Sequence, residues 1–258
     1  MNVQPVGSHL RQWRQRRRLS QLDLAVGADI SARHLSFLET GRSSPSREMI
    51  LRLAEQLEIP MRERNVLLVA GGYAPIFPER PLNDPALAPA RSAIDLILEG
   101  HKPYPAFALD RHWNVVASNS ALQELYEGVD PALLKPPVNA MRLSLHPRGV
   151  APRIENHAEW RAHLLHRLRQ QVELTADPAL LALQKELLSY PAPQGPQAAA
   201  GDAIMVPFRV RIEAGLLSFY TTTMVFGTPV DVTLSELAVE TFFAADAPTA
   251  AIVRSLSG

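Results

Sequence analysis

The chain has 258 residues, 47% of them apolar, with 26 basic and 26 acidic side chains and no cysteine. That length accommodates one large domain or two ordinary ones with real cores; the absence of cysteine excludes disulfides, thiol chemistry and thiolate metal sites, and no apolar run approaches the roughly 18 residues of a membrane span. Charge is uneven: residues 1–74 carry 11 Arg against 7 acidic groups, and residues 75–258 carry 15 basic against 19 acidic groups, so a polyanion is expected to meet the basic head alone.

Five helices fit residues 8–72. The first starts around Leu10, Trp13 and Arg14 and runs into Arg16, Arg17 and Arg18. Residues 20–41, SQLDLAVGADISARHLSFLETG, have the layout of a DNA-reading helix-turn-helix. Leu24, Ala25, Ala28, Ile30, Leu35 and Leu38 are the positions such a unit buries. Ser20 is placed to cap its first helix, with Asp23 as capping-box partner. Ser31 caps the second, which puts Ala32, Arg33, His34 and Ser36 in the turns that meet base edges in a major groove. Asp29 stands in the turn where Gly is usual, and it tolerates left-handed backbone better than most residues. Gly41 sits where helices commonly end. Ser44-Pro45-Ser46 starts a fourth helix, with Pro45 suited to its first turn. A fifth, Met61 to Ala70, presents Val66, Leu67 and Val69.

Residues 75–91 hold five prolines and read as an extended, fairly stiff connector between two domains. Beyond it, FALDRHWNVVASN reads as a hairpin turning at Asp110-Arg111, followed by a helix from Asn119 to Tyr126. Residues 156–174 form a long amphipathic helix, and residues 178–189 another, capped by Asp177. A second hairpin, AIMVPFRVRIE and LLSFYTTTMVF, turns at Ala214-Gly215. A last helix is expected from Ser235 to Ala244. This order suits an antiparallel sheet with helices gathered on one side, an α+β class overall. The domains expected are residues 1–74, the connector 75–91, and residues 92–258.

Residues 8–59 resemble the Cro/C1-type (Xre family) helix-turn-helix domain. The run SARHLSFLETGRSSPSREM is similar to the Xre subgroup that carries an MmyB-like C-terminal ligand-binding domain. Three further segments extend the resemblance over most of residues 92–256: PYPAFALDRHWNVVASN, LSLHPRGVAPRIEN and FGTPVDVTLSELAVETFF. The resemblance implies a PAS-like sensor fold, a double-stranded operator bound by a homodimer, and a small-molecule effector, apolar and with a fatty-acyl compound as one option. It implies a phosphate contact for Gln21. Arg42, and Arg14 or Arg18, are candidates for flanking phosphates, and Arg33 and His34 for base edges, an Arg fork being suited to guanine.

For the sensor, candidate cavity walls are Phe107, Trp113, Val115, Met141, Leu145, Leu164, Leu165, Leu168, Phe208 and Phe219. Any of these serves equally as plain core. Arg153 is a candidate anchor for a ligand carboxylate, or a loop residue bonding its own backbone; His146 shares that ambiguity. Glu159, His163 and His166 share a helix face at zinc-ligand spacing, but no fourth ligand is apparent, so neither metal nor cofactor is expected. No nucleophile elbow, phosphate loop or dinucleotide fingerprint is present, so no enzymatic activity is expected. The N-terminus lacks the apolar stretch of a signal peptide, which makes a cytoplasmic location the expectation. Two readings stay open: a regulator modulated by its ligand, or a constitutive DNA binder whose second domain only dimerises or binds a partner.

Overall fold

Local capping chemistry sets out the N-terminal helices. In the computed structural model, which describes residues 4–191 and 205–256, they are α1 (Val6–Arg16), α2 (Gln21–Gly27), α3 (Ala32–Glu39), α4 (Arg47–Gln56) and α5 (Met61–Ala70). Ser20 Oγ accepts from the Asp23 amide at 3.1 Å, and the Asp23 carboxylate accepts from the Ser20 amide at 3.0 Å, a complete capping box. Ser31 and Ser46 cap α3 and α4 through the amides of His34 and Met49. Pro45 therefore precedes the cap of α4 instead of opening its first turn. Asp29 takes φ 53° and Gly41 φ 73°, the left-handed geometry both turns require.

Leu10, Leu24, Ala25, Ala28, Leu35, Leu38, Ile50 and Leu53 form the centre of this unit's core, joined by Leu67 and Leu68 of α5. The apolar face expected for α5 differs: Val66 and Val69 are 40% and 52% exposed. Leu67 and Leu68 are adjacent to them and point inward, so the helix turns about one residue from the expected face. A Cβ on Gly7 would fall 2.1 Å from the Leu38 carbonyl oxygen; the start of α1 lies against the end of α3, and glycine alone fits there.

The chain divides into two compact units, Met1–Glu79 with Glu173–Ala176 and Val230–Val232, and the remainder. The Pro-rich stretch is shared between them. Asn65 of α5 accepts from the amides of Ile76 and Phe77 and donates to the Phe77 carbonyl, which holds residues 76–77 to the first unit. Further along, Asp84 caps a 3-10 turn at Pro85–Leu87 that runs into α6 (Ala88–Gly100), and Arg91 donates to the carbonyls of Leu82 and Asp84. Pro85 and Pro89 occupy first-turn positions, where a missing amide costs nothing. The later part of the expected connector is thus helical.

The second unit is built on five antiparallel strands: β1 (Ala106–Leu109), β2 (Val115–Ser118), β3 (Phe208–Ile212), β4 (Gly215–Val225) and β5 (Ala238–Ala244), ordered β2-β1-β5-β4-β3. Its helices are α6, α7 (Ala140–Leu145), α8 (His157–Thr175), α9 (Pro178–Ser189), α10 (Val232–Ser235) and α11 (Ala247–Leu256). Residues 120–126 form a 3-10 helix. The class is α+β. Residues 203 and 204 of the second expected hairpin lie outside the described residues.

One element overturns its expectation. Ser235 to Ala244 is not a helix; it contains β5, the strand at the centre of the sheet. A central strand is covered on both faces, and Val239 to Phe242 are all buried. Its buried positions, Glu240 and Thr241 among them, therefore run on without alternation, the case in which strand and helix look alike. The helix expected there follows it instead, as α11.

Candidate functional site

The DNA-reading candidate is the exposed side of α3. Ser31 Oγ closes the first turn, and Arg33 projects from that turn into solvent. Arg33 and Arg42, nine residues apart, lie over the same ring: their guanidinium carbons are 5.4 and 5.9 Å from the centroid of Phe37. Such cation–π contacts are worth about 0.5–1 kcal/mol at an exposed site, enough to bias both forks towards one face without neutralising them. Neither makes an ion pair among the described residues. His34 and Ser36 are half-buried beside them, as is Ala32. Arg18 is exposed, with a left-handed φ of 56° just beyond α1.

Other arginines of the head hold its structure. Arg14 donates from Nε and Nη2 to the two oxygens of Glu39 at 2.6 and 2.8 Å, and from Nη1 to the Leu19 carbonyl at 2.8 Å. Its burial removes it as a phosphate candidate. Gln21 also donates to Glu39, at 2.8 Å; an amide nitrogen carries two hydrogens, so one remains for a second acceptor. Burial pushes the Glu39 carboxyl up, but the hydrogen bonds from Arg14 and Gln21 outweigh it and hold the group below its ordinary value. Arg17 donates to the carbonyls of Leu57 and Glu58, just past the C-terminal end of α4.

In the second unit, the sheet, α7, α8 and the 3-10 helix at 120–126 line a partly open cavity of about 80 Å³, bounded almost wholly by apolar atoms. One water needs only about 10–15 Å³ measured in the same way. Trp160, Leu164 and Arg167 line it from one face of α8, spaced i, i+4, i+7. Phe107, Leu109, Val115, Thr221, Glu240 and Phe242 line it from the strands, and Met141 and Ser144 from α7. The polar groups are few. Trp160 Nε1 donates to Ser144 Oγ at 2.9 Å. The Tyr126 phenol is pushed up to about 12 by burial, so it stays protonated at neutral pH. Arg167 Nη2 donates to Glu240 Oε1 at 2.6 Å, and the guanidinium stacks 4.9 Å from the Trp113 ring centroid.

The model of the MmyB-like transcription regulator ligand binding domain matches residues 90–256. The chain belongs to this family. A helix-turn-helix model matches residues 10–64, and the MmyB-like protein is therefore a DNA-binding transcription regulator with a ligand-binding domain. Both models describe regulatory binding domains, not enzymes. No curated protein matches the chain. Among solved structures, similarity is found to the "Structure of an RNA-binding Light-Oxygen-Voltage Receptor", at 13% identity and a TM-score of 0.26, over 96% of this chain. This chain spans 62% of the length of that one.

Of the residues picked from the sequence for the MmyB-like cavity, Phe107, Trp113, Val115, Met141, Leu164 and Phe208 line it. Leu145, Leu165, Leu168 and Phe219 do not; they are buried in the surrounding core. Arg153 is also elsewhere, donating to the Leu125 carbonyl at 2.5 Å and lining a separate groove with Glu127, Glu155 and Arg211. His146 accepts from the Arg148 amide and packs edge-on against Tyr190. Arg167, Glu240, Tyr126 and Ser144 were missed. The available signal was Glu240 itself, a charge inside the apolar run LAVETFF. Among the described residues, no group of three or more His, Cys, Asp or Glu could hold a metal; His163 stacks on Trp160. No described helix is long and apolar enough to cross a membrane.

Proposed function

We propose that residues 1–74 bind operator DNA as one arm of a homodimer, and that a small apolar molecule, fatty-acyl in class, occupies the cavity of residues 92–258 and changes operator affinity. The protein acts in the cytoplasm, where its operator is. The observation that carries the DNA reading is the pair Arg33 and Arg42, unneutralised and held on Phe37 beside the capped start of α3. Arg33 and His34 read base edges, with Ala32 and Ser36 packed against the groove floor. Arg42, Arg18 and the backbone at Ser31 meet phosphates, and Gln21 offers its second amide hydrogen to another. The observation that supports the ligand reading is an apolar cavity with a small number of polar groups, the usual character of small-molecule sites.

Half-site spacing of about 34 Å, or a multiple, follows for a dimer of this kind. A ligand coupling of about 1–3 kcal/mol changes occupancy about 5- to 150-fold. Native mass spectrometry of the purified full-length chain tests both dimer and ligand: a dimer that releases a stoichiometric small molecule on denaturation agrees with the proposal. A monomer on operator DNA, or operator affinity indifferent to every ligand bound, contradicts it and leaves the constitutive reading.

The two arginines separate by their effect on selected operators. Arg33→Ala should cost about 1–3 kcal/mol at one base position per half-site and relax specificity there. Arg42→Ala should weaken all sequences evenly and reduce the slope of log affinity against log salt by about 1. Titrations at several salt concentrations on matched and mismatched sites measure both. Even weakening by Arg33→Ala would assign that side chain to phosphate.

A further inference from the structure

The charges on the cavity wall bear on which ligand it admits. Apart from hydroxyls and the indole N–H groups of Trp113 and Trp160, which already donate to Gln171 and Ser144, the polar lining is one cation and one anion, Arg167 and Glu240. They are already bound to each other. Glu240 lies opposite Phe107 of β1 and Thr223 of β4 in the sheet register, and its carboxylate side chain is 5% exposed. It accepts from Arg167 at 2.6 Å and from Thr223 Oγ1 at 2.8 Å. Arg167 is further held by Thr223 at 3.1 Å and by the face of Trp113.

A ligand carboxylate entering this cavity meets no free cation. It would have to displace Glu240 from Arg167, which strands a buried anion, or lie beside Glu240 and be repelled. An uncharged head meets neither obstacle. The Tyr126 phenol and the Ser144 hydroxyl are available to it as donors, since Ser144 already accepts from Trp160 and its own hydrogen is free to point elsewhere.

We propose that the Glu240–Arg167 pair makes this cavity select apolar ligands with uncharged heads, such as alcohols or esters, over the carboxylates of equal chain length. This rests on the reading of the cavity as the ligand site, and deepens it. Glu240 is the specificity-determining residue, acting against anions.

The test uses the full-length chain at neutral pH with matched pairs from six to ten carbons, 1-hexanol against hexanoate through 1-decanol against decanoate, below their aggregation limits. Thermal shift and calorimetric titration read binding. The alcohol of the fitting length should bind at least about tenfold tighter than its acid, the size of one charge-assisted hydrogen bond. In E240Q, Arg167 keeps its charge and loses its counter-ion, so the acid should gain by about tenfold or more. Equal or tighter binding of the acid to the unmodified protein overturns the proposal. An alcohol preference unchanged in a folded E240Q overturns the role of Glu240. If E240Q does not fold, the Arg167 Nη–Hη signals in the unmodified protein decide, since Nη2 and Nη1 donate to Glu240: the alcohol leaves the Glu240 pairing intact, whereas an acid that breaks it contradicts the proposal. Binding of neither series at any length overturns the ligand reading of the cavity, and this inference with it.

Discussion

Arg14→Met is expected to destabilise the N-terminal unit by about 3–5 kcal/mol, the range for breaking a buried ion pair by removing one partner. Methionine fills much of the volume but donates nothing. Glu39, whose side chain is 1% exposed, would keep only Gln21 as a partner, and the Leu19 carbonyl would lose its donor. A domain of this size has about 5–15 kcal/mol of total stability, so most of the margin would go. DNA binding should fall with it, because Glu39 is the last residue of α3 and ties that helix to α1 and α2. Urea denaturation followed through Trp13, beside Arg14 in α1, measures the loss. The double variant Arg14→Met, Glu39→Met should recover part of it. A cost below about 1 kcal/mol for the single change would mean the pair is effectively solvated.

The same network gives the head an acid sensitivity with a definite sign. Glu39 has a folded pKa below its ordinary 4.5. Its contribution to stability is therefore fully present above 4.5 and is lost as pH falls from there through the folded value. Arg14→Met should flatten that part of the profile, since Arg14 supplies two of the hydrogen bonds that lower the pKa. A profile with the same slope in both proteins would place the acid sensitivity at other carboxylates.

Trp160→Ala should cost the second unit about 3–5 kcal/mol, as for large aromatic truncations in cores. The indole is 5% exposed, packs 5.0 Å from Phe208, stacks with His163 and donates to Ser144. Truncation opens the cavity wall and leaves Ser144 without its donor. Trp160→Phe retains most of the packing and should lose about 1 kcal/mol, the worth of one hydrogen bond. Differential scanning calorimetry with and without the alcohol of the fitting length separates the two effects. Alanine should lower the transition and abolish the shift, and phenylalanine should keep the shift. An alanine variant as stable as the parent would mean that the wall collapses into the space.

The head was legible because its signals are local. Ser20, Ser31 and Ser46 act on amides three residues away, and Asp29 and Gly41 set their own turns. What failed there was non-local: Arg14 and Arg18 look equivalent in the chain, and a carboxylate 25 residues downstream decides that one is buried. The second unit shows the same divide. Its amphipathic helices and first hairpin follow from spacing, whereas β5 lacks alternation because both its faces are covered. Missing β5 also hid Glu240 and Phe242. Arg167 was hidden differently, since an arginine on a long helix ordinarily belongs to the solvated side. On α8, Leu164 faces the cavity while Leu165, on the adjacent face, and Leu168, one turn further along, face core, a difference that sequence spacing does not rank.

The strand order places the last strand made between two made earlier. β1 waits for β5 across roughly 130 residues of chain, and β5 also joins β1 to β4. At a synthesis rate of about 5–20 residues per second, β5 leaves the ribosome some 10–35 s after the fifth helix of the head. During that interval the nascent regulator has a complete DNA-reading motif and no closed sheet, with two strand edges open to other chains. A chain cut short before residue 238 would therefore keep its helix-turn-helix whole and lack the cavity wall that Glu240 and Phe242 supply.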